Sequence, residues 1–190
     1  MFLGTQPRIL QNQAHALYAA IFRVLPGTTE VRIHVLRDGR LAPFEAPPGT
    51  LPAEPAAYAG HAADGSLVGW AVPGEGPGFM DTIKLIYGYD PSRRVIVGLE
   101  VLDSRETPGL GDKIITDPAF RANFAALSID PRIVPVKSGK KQGHNEVDCI
   151  TGATISSEAV VGILNESSIR WAPLLAPAEP TSEVTRHESD

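Results

Sequence analysis

A segment of small residues near position 150 is the part of the chain best suited to chemistry. Thr151-Gly152-Ala153-Thr154 comes directly before residues 155–170, whose apolar periodicity predicts a helix. A threonine at this place is usually an N-cap, whose oxygen accepts a backbone N–H. A second role is open, because Gly152 and Ala153 leave room for a bulky group. An anionic group on Thr154 would then lie at the positive end of the helix dipole.

A second compact segment lies upstream, where Glu106 is followed by Thr107-Pro108-Gly109-Leu110 and then Gly111. This order predicts a type II turn, in which Pro fixes φ at the second place and Gly takes the positive φ that the third place requires. A plain surface turn explains the segment by itself. The alternative is a loop whose exposed main-chain N–H and C=O groups contact a bound ligand.

Together, these two segments resemble the FMN-binding domain shared by the G subunit of the Rnf electron-transport complex and the C subunit of the sodium-pumping NADH:quinone reductase. In that family the last Thr of an S/T-G-A-T motif carries FMN through a phosphoester bond, and Thr154 matches it. The turn motif precedes the attachment motif in the family, as Glu106 precedes Thr154 here by 48 positions. The resemblance covers roughly residues 58–170.

The resemblance implies a covalent FMN on Thr154 and a role in relaying single electrons. Asp148 matches the Asp that begins the motif recognised by the family's flavin transferase. The charge of Lys113 would favour an anionic flavin. Ser156 and Ser157 would donate hydrogen bonds to the phosphate oxygens. The segment that begins at Phe79 resembles one that leads into a strand beside the flavin. The residues expected to hold the cofactor are Glu106, Thr107, Pro108, Gly109, Leu110, Gly111, Lys113, Asp148, Thr151, Gly152, Ala153, Thr154, Ser156 and Ser157.

The resemblance also implies partners and a location. The partners would be the flavin transferase and the other redox subunits of a membrane-associated, Rnf-like complex, at the extracytoplasmic (periplasmic) face of the bacterial inner membrane. The family's G and C subunits normally begin with a transmembrane helix. No apolar run here reaches the roughly 20 residues that span a bilayer, so we expect the anchor to be absent from this chain.

Two other functions remain open. The first is a stand-alone soluble FMN electron carrier, which the missing anchor favours. The second is a flavin-free scaffold or assembly subunit, which would need neither Thr154 nor the turn. In the main hypothesis the chain is a redox subunit of a multi-subunit oxidoreductase rather than an enzyme on its own, since no GxGxxG, P-loop or Ser-His-Asp set is present.

Composition excludes several classes of protein. The formal net charge is −5 and Lys and Arg form no dense run, so we expect no nucleic-acid binding. With one cysteine, Cys149, the chain forms no intramolecular disulfide and has neither a CxxC nor a CxxCH motif. The five histidines show no ligand spacing, so we expect no metal site.

The periodicity of the chain predicts an α+β fold with a mainly antiparallel sheet and flanking helices. We expect an N-terminal amphipathic helix within 1–28, a single FMN-binding domain over 29–171 and a disordered tail over 172–190. Alternation predicts strands over 30–36, 82–89 and 94–102, and apolar spacing predicts a helix over 117–127. Residues 74–78, with three glycines, are expected to form a flexible loop.

Overall fold

The computed structural model of the chain describes residues 6–175, which contain four helices and nine strands. In chain order these are α1 (Gln6–Val24), β1 (Glu30–Arg37), β2 (Arg40–Pro43), β3 (Ala56–His61), β4 (Leu67–Pro77), β5 (Thr82–Asp90), β6 (Val95–Asp103), α2 (Lys113–Thr116), α3 (Pro118–Ala122), β7 (Leu127–Ser128), β8 (Val134–Val136), β9 (Glu146–Asp148) and α4 (Thr154–Trp171).

Seven strands form one antiparallel sheet in the order β2-β1-β3-β4-β5-β6-β7. The two remaining strands, β8 and β9, pair with each other in parallel. Strands β1 and β2 are joined by a tight turn at Asp38-Gly39, where both residues have positive φ. The predicted α+β fold with a mainly antiparallel sheet and flanking helices is therefore confirmed.

Helix α1 covers one face of the sheet. Ile21, Val24 and Leu25 are fully buried against strand residues that point to this face. The helix end approaches the sheet closely because glycine lies beneath it. A Cβ built on Gly88 of β5 would lie 2.1 Å from the Val24 carbonyl oxygen. The predicted N-terminal helix thus packs on the domain, while residues 1–5 lie outside the described part of the chain.

Helix α4 covers the opposite face and crosses β4, where the prediction of a flexible loop over 74–78 is wrong. Residues 74–77 are the second half of β4 and pair with β5 as far as Thr82. A Cβ on Gly74 or Gly76 would lie 3.0 or 2.8 Å from the side chain of Ile163. These glycines therefore permit contact between helix and strand, and their number does not indicate a loop.

The helix predicted over 117–127 begins as expected and ends early. The Asp117 carboxylate accepts the N–H groups of Ala119 and Phe120, and Pro118 occupies the first helical position. The helix stops at Ala122, because the Asn123 side chain donates to the Phe120 carbonyl at 3.0 Å and turns towards Asp148. Leu127 then belongs to β7.

Helix α4 ends at Trp171, and the chain stays packed for four more residues. Ala172 and Leu175 are buried in the same core as α4, so residues 172–175 are ordered although they fall within the predicted tail. The remainder of that predicted tail, 176–190, lies outside the described residues. Within residues 6–175, no helix combines the length and the apolar character needed to cross a membrane.

Alkaline pH is expected to destabilise the fold through two buried tyrosines, Tyr87 on the α4 side of the sheet and Tyr58 on the α1 side. Burial raises the pKa of Tyr87 and of Tyr58 to about 12, whereas a tyrosine in an unfolded chain ionises near pH 10. The stability that depends on the neutral hydroxyls is fully present below about pH 10 and is lost as the pH rises towards about 12. Urea titrations should show a steep fall of the unfolding free energy in this window, and Tyr87→Phe should make it shallower. If the unfolding free energy of Tyr87→Phe fell with pH as steeply as that of the wild type, Tyr87 could not be a source of this pH dependence.

Candidate functional site

The turn predicted at residues 107–110 is present. Gly109 has a φ of +75°, and the Leu110 N–H donates to the Thr107 carbonyl at 3.1 Å, as expected for a type II turn. The Asp112 N–H donates to the same carbonyl at 3.3 Å. This turn connects the end of β6 to α2 and projects Leu110, which is 51% exposed.

The start of α4 differs from the sequence prediction. Ala153 is the N-cap residue, with no side-chain cap, and Thr154 occupies the first helical position. The first hydrogen bond runs from the Ser157 N–H to the Ala153 carbonyl at 3.0 Å. The N–H groups of residues 154–156 precede it and meet no protein acceptor among the described residues. Gly152, at φ +83°, makes the turn that leaves the Thr154 side chain exposed.

Because the Thr154 hydroxyl caps nothing, its removal should cost the fold almost nothing. We expect Thr154→Ala to change the free energy of unfolding by less than about 0.5 kcal/mol, the range of ordinary surface substitutions, instead of the ~1 kcal/mol that a lost N-cap costs. Urea denaturation of the flavin-free chain measures this difference. Asp117→Ala, which removes the observed cap of α3, is the matched control and should lose about 1 kcal/mol. Equal losses in the two variants would contradict this placement of Thr154.

The two predicted motifs meet at one cavity of about 300 Å³. Its walls come from the β4–β5 connection, from the turn after β6 and from the first residues of α4. The lining residues are Phe79, Thr107, Leu110, Gly111, Gly152, Ala153, Thr154, Ile155 and Ser156. Phe79, Leu110 and Ile155 are each more than half exposed, so a rim of large apolar side chains surrounds the cavity beside the Thr154 hydroxyl.

Glu106 lies behind the cavity wall and contacts all three of the segments that form it. Its side chain is only 5% exposed. One carboxylate oxygen accepts the Met80 N–H at 3.1 Å, and the other accepts the Ser156 hydroxyl. The carboxylate thereby connects the β4–β5 connection, the turn and the start of α4.

Several predicted residues lie away from this cavity. Ser157 is fully buried, and its hydroxyl donates to the Ala153 carbonyl and accepts the Ile150 N–H, so it faces the protein interior. Lys113, Asp148 and Thr151 line a neighbouring cavity of about 470 Å³. Pro108 and Gly109 form the exposed tip of the turn and are not among the lining residues.

Asp148 has a structural role in this geometry. Its carboxylate accepts the N–H groups of Lys140 and Lys141 at 3.0 and 2.9 Å, and Asn123 holds its main chain from the other side. Asp148 thus fixes the connection between β8 and β9 next to residues 151–154.

Ile155 lines the cavity, and the sequence interpretation did not include it among the site residues. Phe79 also lines the cavity; the sequence interpretation mentioned it only as the start of a segment that leads into a strand beside the flavin. An apolar residue at the second position of a helix normally indicates core packing. The only available signal was that Ile155 follows Thr154 directly, on the exposed side of the helix start.

Known proteins share both sequence and fold with this chain. The G subunit of the ion-translocating oxidoreductase complex of Methanosarcina acetivorans is 36% identical over 110 residues, which cover 58% of this chain and 55% of that protein. The G subunit of the Na(+)-translocating ferredoxin:NAD(+) oxidoreductase complex of Acetobacterium woodii is 35% identical over 105 residues, 55% of this chain and 49% of that one. The chain therefore spans about half the length of the curated relatives that it matches.

Two solved structures have the same fold at low sequence identity. NqrC of Shewanella oneidensis superposes with a TM-score of 0.66 at 17% identity, over 87% of this chain and 94% of that one. The C subunit of the Na(+)-translocating NADH-quinone reductase from Parabacteroides distasonis superposes with a TM-score of 0.69 at 20% identity. The superposition covers 90% of this chain and 98% of that one. The model of the FMN-binding domain family matches residues 78–167, which include every wall of the cavity. Residues 78–167 of the chain are therefore similar to the FMN-binding domain family.

Proposed function

We propose that this protein is an electron-transfer flavoprotein subunit that carries FMN by a phosphoester bond to Thr154. It relays single electrons within a membrane-associated, Rnf-like redox complex. The observation that carries the proposal is the position of Thr154, an exposed hydroxyl at the start of an 18-residue helix, on the wall of a cavity with an apolar rim.

The start of α4 suits a phosphate group. The N–H groups of residues 154–156 have no acceptor in the described part of the chain, and the helix dipole adds a partial positive charge at this end. A phosphodiester on Thr154 can accept these N–H groups in place of water. Ser157, whose hydroxyl is bonded elsewhere, does not contribute, so the main chain supplies the donors.

The cavity walls suit a planar aromatic ring. Phe79, Leu110 and Ile155 present apolar surface around the opening, where they would contact the flavin ring and exclude water from part of it. The FMN supplies the one-electron chemistry, and the protein supplies attachment, orientation and electrostatics. The openness of the rim would leave one edge of the ring accessible to a redox partner.

Attachment requires a second enzyme. In the proposed reaction a flavin transferase provides FAD, the Thr154 hydroxyl oxygen forms the new bond to the FMN phosphorus, and the bond from that phosphorus to AMP breaks. AMP leaves with the electron pair of the broken bond, and the hydroxyl proton is released. A covalent bond prevents dissociation in every oxidation state, so the cavity need not bind each of them tightly.

The remaining parts of the proposal concern the setting. The relatives from Methanosarcina acetivorans and Acetobacterium woodii are named as subunits of ion-translocating complexes. By analogy, the partners of this chain would be other redox subunits of such a complex, on the extracytoplasmic (periplasmic) side of the membrane.

Stopped-flow spectroscopy tests the relay directly. The chain is co-expressed in an exported form with a flavin transferase, reduced with a small one-electron donor and mixed with a one-electron acceptor such as ferricyanide. We expect the flavin-loaded wild type to pass electrons between the two reagents and Thr154→Ala to pass none. A wild type that carries no flavin after maturation, or one whose flavin does not exchange electrons, would overturn the proposal and favour a scaffold subunit.

A further inference from the structure

Glu106 is an unusual residue in this site because its charge is buried without a cation. No other acidic or basic side chain described within residues 9–175 is as deeply buried, and Glu106 forms no ion pair with any described residue. A buried carboxylate normally needs a charged partner or several hydrogen-bond donors. The two donors to its carboxylate, the Met80 N–H and the Ser156 hydroxyl, are neutral.

The helix start explains how this charge is accommodated. Ser156 is the third residue of α4, so the Glu106 carboxylate lies at the N-terminal end of an 18-residue helix, where the dipole stabilises negative charge. The Glu106 main-chain N–H donates to the Ser104 hydroxyl at 3.3 Å, which holds the residue in place. The carboxylate thus offsets the positive field of α4 at the proposed FMN site.

Two glycines make room for the carboxylate behind the cavity wall. A Cβ on Gly111, which lines the cavity, would lie 2.9 Å from one carboxylate oxygen, and a Cβ on Gly78 would lie 2.5 Å from the other. Thr107 and Ser156, both cavity residues, are its sequence neighbour and its hydrogen-bond partner. The carboxylate therefore lies one residue layer behind the cavity, shielded from solvent.

We propose that Glu106 is a positioning residue that holds the cavity walls together and that its negative charge makes the bound FMN harder to reduce. This inference rests on the proposed function. Reduction adds negative charge to the flavin, and a fixed negative charge nearby opposes that addition. The opposition is strong at a buried position, because little water lies between the two charges to screen them.

A redox titration of the flavin-loaded full-length chain tests the charge effect. Glu106→Gln keeps the shape of the side chain, an acceptor for the Met80 N–H and a partner for Ser156, but removes the charge. We expect the ratio of reduced to oxidised flavin at a fixed potential to rise about tenfold, equivalent to about 59 mV for a one-electron couple. Asp103→Asn is the matched control, because it removes the same charge from an exposed residue at the end of β6, and should change the ratio less than twofold.

Glu106→Asp separates charge from packing. If the charge sets the potential, this variant should stay within twofold of the wild-type ratio even though its shorter side chain loosens the cavity. If Glu106 only holds the walls together, both variants should lose stability while the potential of the bound flavin stays at the wild-type value. That second result would overturn the proposal.

A measurement on the unmutated protein tests the same charge effect even if Glu106→Gln fails to fold. Infrared difference spectra, reduced minus oxidised, are recorded on chain labelled with ¹³C-glutamate. We expect an isotope-sensitive carboxylate band that shifts on reduction, and its absence would overturn the inference. A wild type that takes up no FMN would contradict the proposed function itself, and with it this inference. A wild type that carries flavin but shows no carboxylate band that shifts on reduction, or a Glu106→Gln variant with the wild-type potential, would contradict the inference alone.

Discussion

Thr154→Ala is expected to abolish covalent flavin completely while leaving a folded protein. The substitution removes the oxygen to which the phosphorus would be bonded, and no neighbouring residue supplies the same oxygen at the start of α4. Ser156 is buried and its hydroxyl is bonded to Glu106, and Ser157 bonds within the protein interior. In-gel flavin fluorescence after co-expression with a transferase should be bright for the wild type and absent for the variant.

Thr151→Ala is the control for this experiment. Thr151 belongs to the same motif and is exposed, but it lines the neighbouring cavity and not the one beside α4. We expect this variant to retain flavin fluorescence, although transfer can be slower if the transferase reads the motif. Flavin retained in Thr154→Ala and lost in Thr151→Ala would show that the other threonine carries the flavin, against the proposal.

Gly88→Ala is expected to produce the largest loss of stability among single-methyl additions in the sheet. The added Cβ would lie 2.1 Å from the Val24 carbonyl oxygen, a backbone atom at the end of α1 that a rotamer change cannot move away. The helix must shift from the sheet, and with it Leu25, which packs at the same place. We expect a loss of about 3 kcal/mol of unfolding free energy, at the upper end for overpacked cores. Urea denaturation measures it.

Gly162→Ala adds the same methyl group where there is space. Gly162 is exposed in the middle of α4, and a Cβ there meets nothing within 4 Å. Because alanine favours the helix over glycine, this variant should gain about 1 kcal/mol. If Gly88→Ala were as stable as the wild type, α1 could not be packed on β5 as described.

The sequence predicted the elements whose signals are local. The alternation over β5 and β6 identified both strands, and Pro108-Gly109 specified the type II turn, because backbone φ preferences decide that structure without help from the rest of the fold. The family resemblance located Thr154 and the turn, and the structure brings the two segments to one cavity.

The errors have a common physical cause, since each depended on a contact distant in sequence or on the exact path of the backbone. Residues 74–77 have the composition of a loop, but they pair with β5, and their glycines make room for Ile163 of α4. Glu106 is among the residues that the sequence assigns to the cofactor, whereas its buried carboxylate lies behind the cavity wall, where Met80 and Ser156 supply donors from other elements. Thr is a common N-cap, which favours Thr154 as the cap of α4, whereas the backbone turns one residue earlier, at Ala153.

The most direct test of covalent flavin on Thr154 is the mass of the chain after maturation. The protein is exported, co-expressed with a flavin transferase whose activity is verified on another substrate, and analysed by intact mass and by peptide mapping across residues 141–170. We predict an increment of one FMN less one water, located on Thr154. An unmodified mass, or the same increment on any other residue, would contradict the proposed attachment.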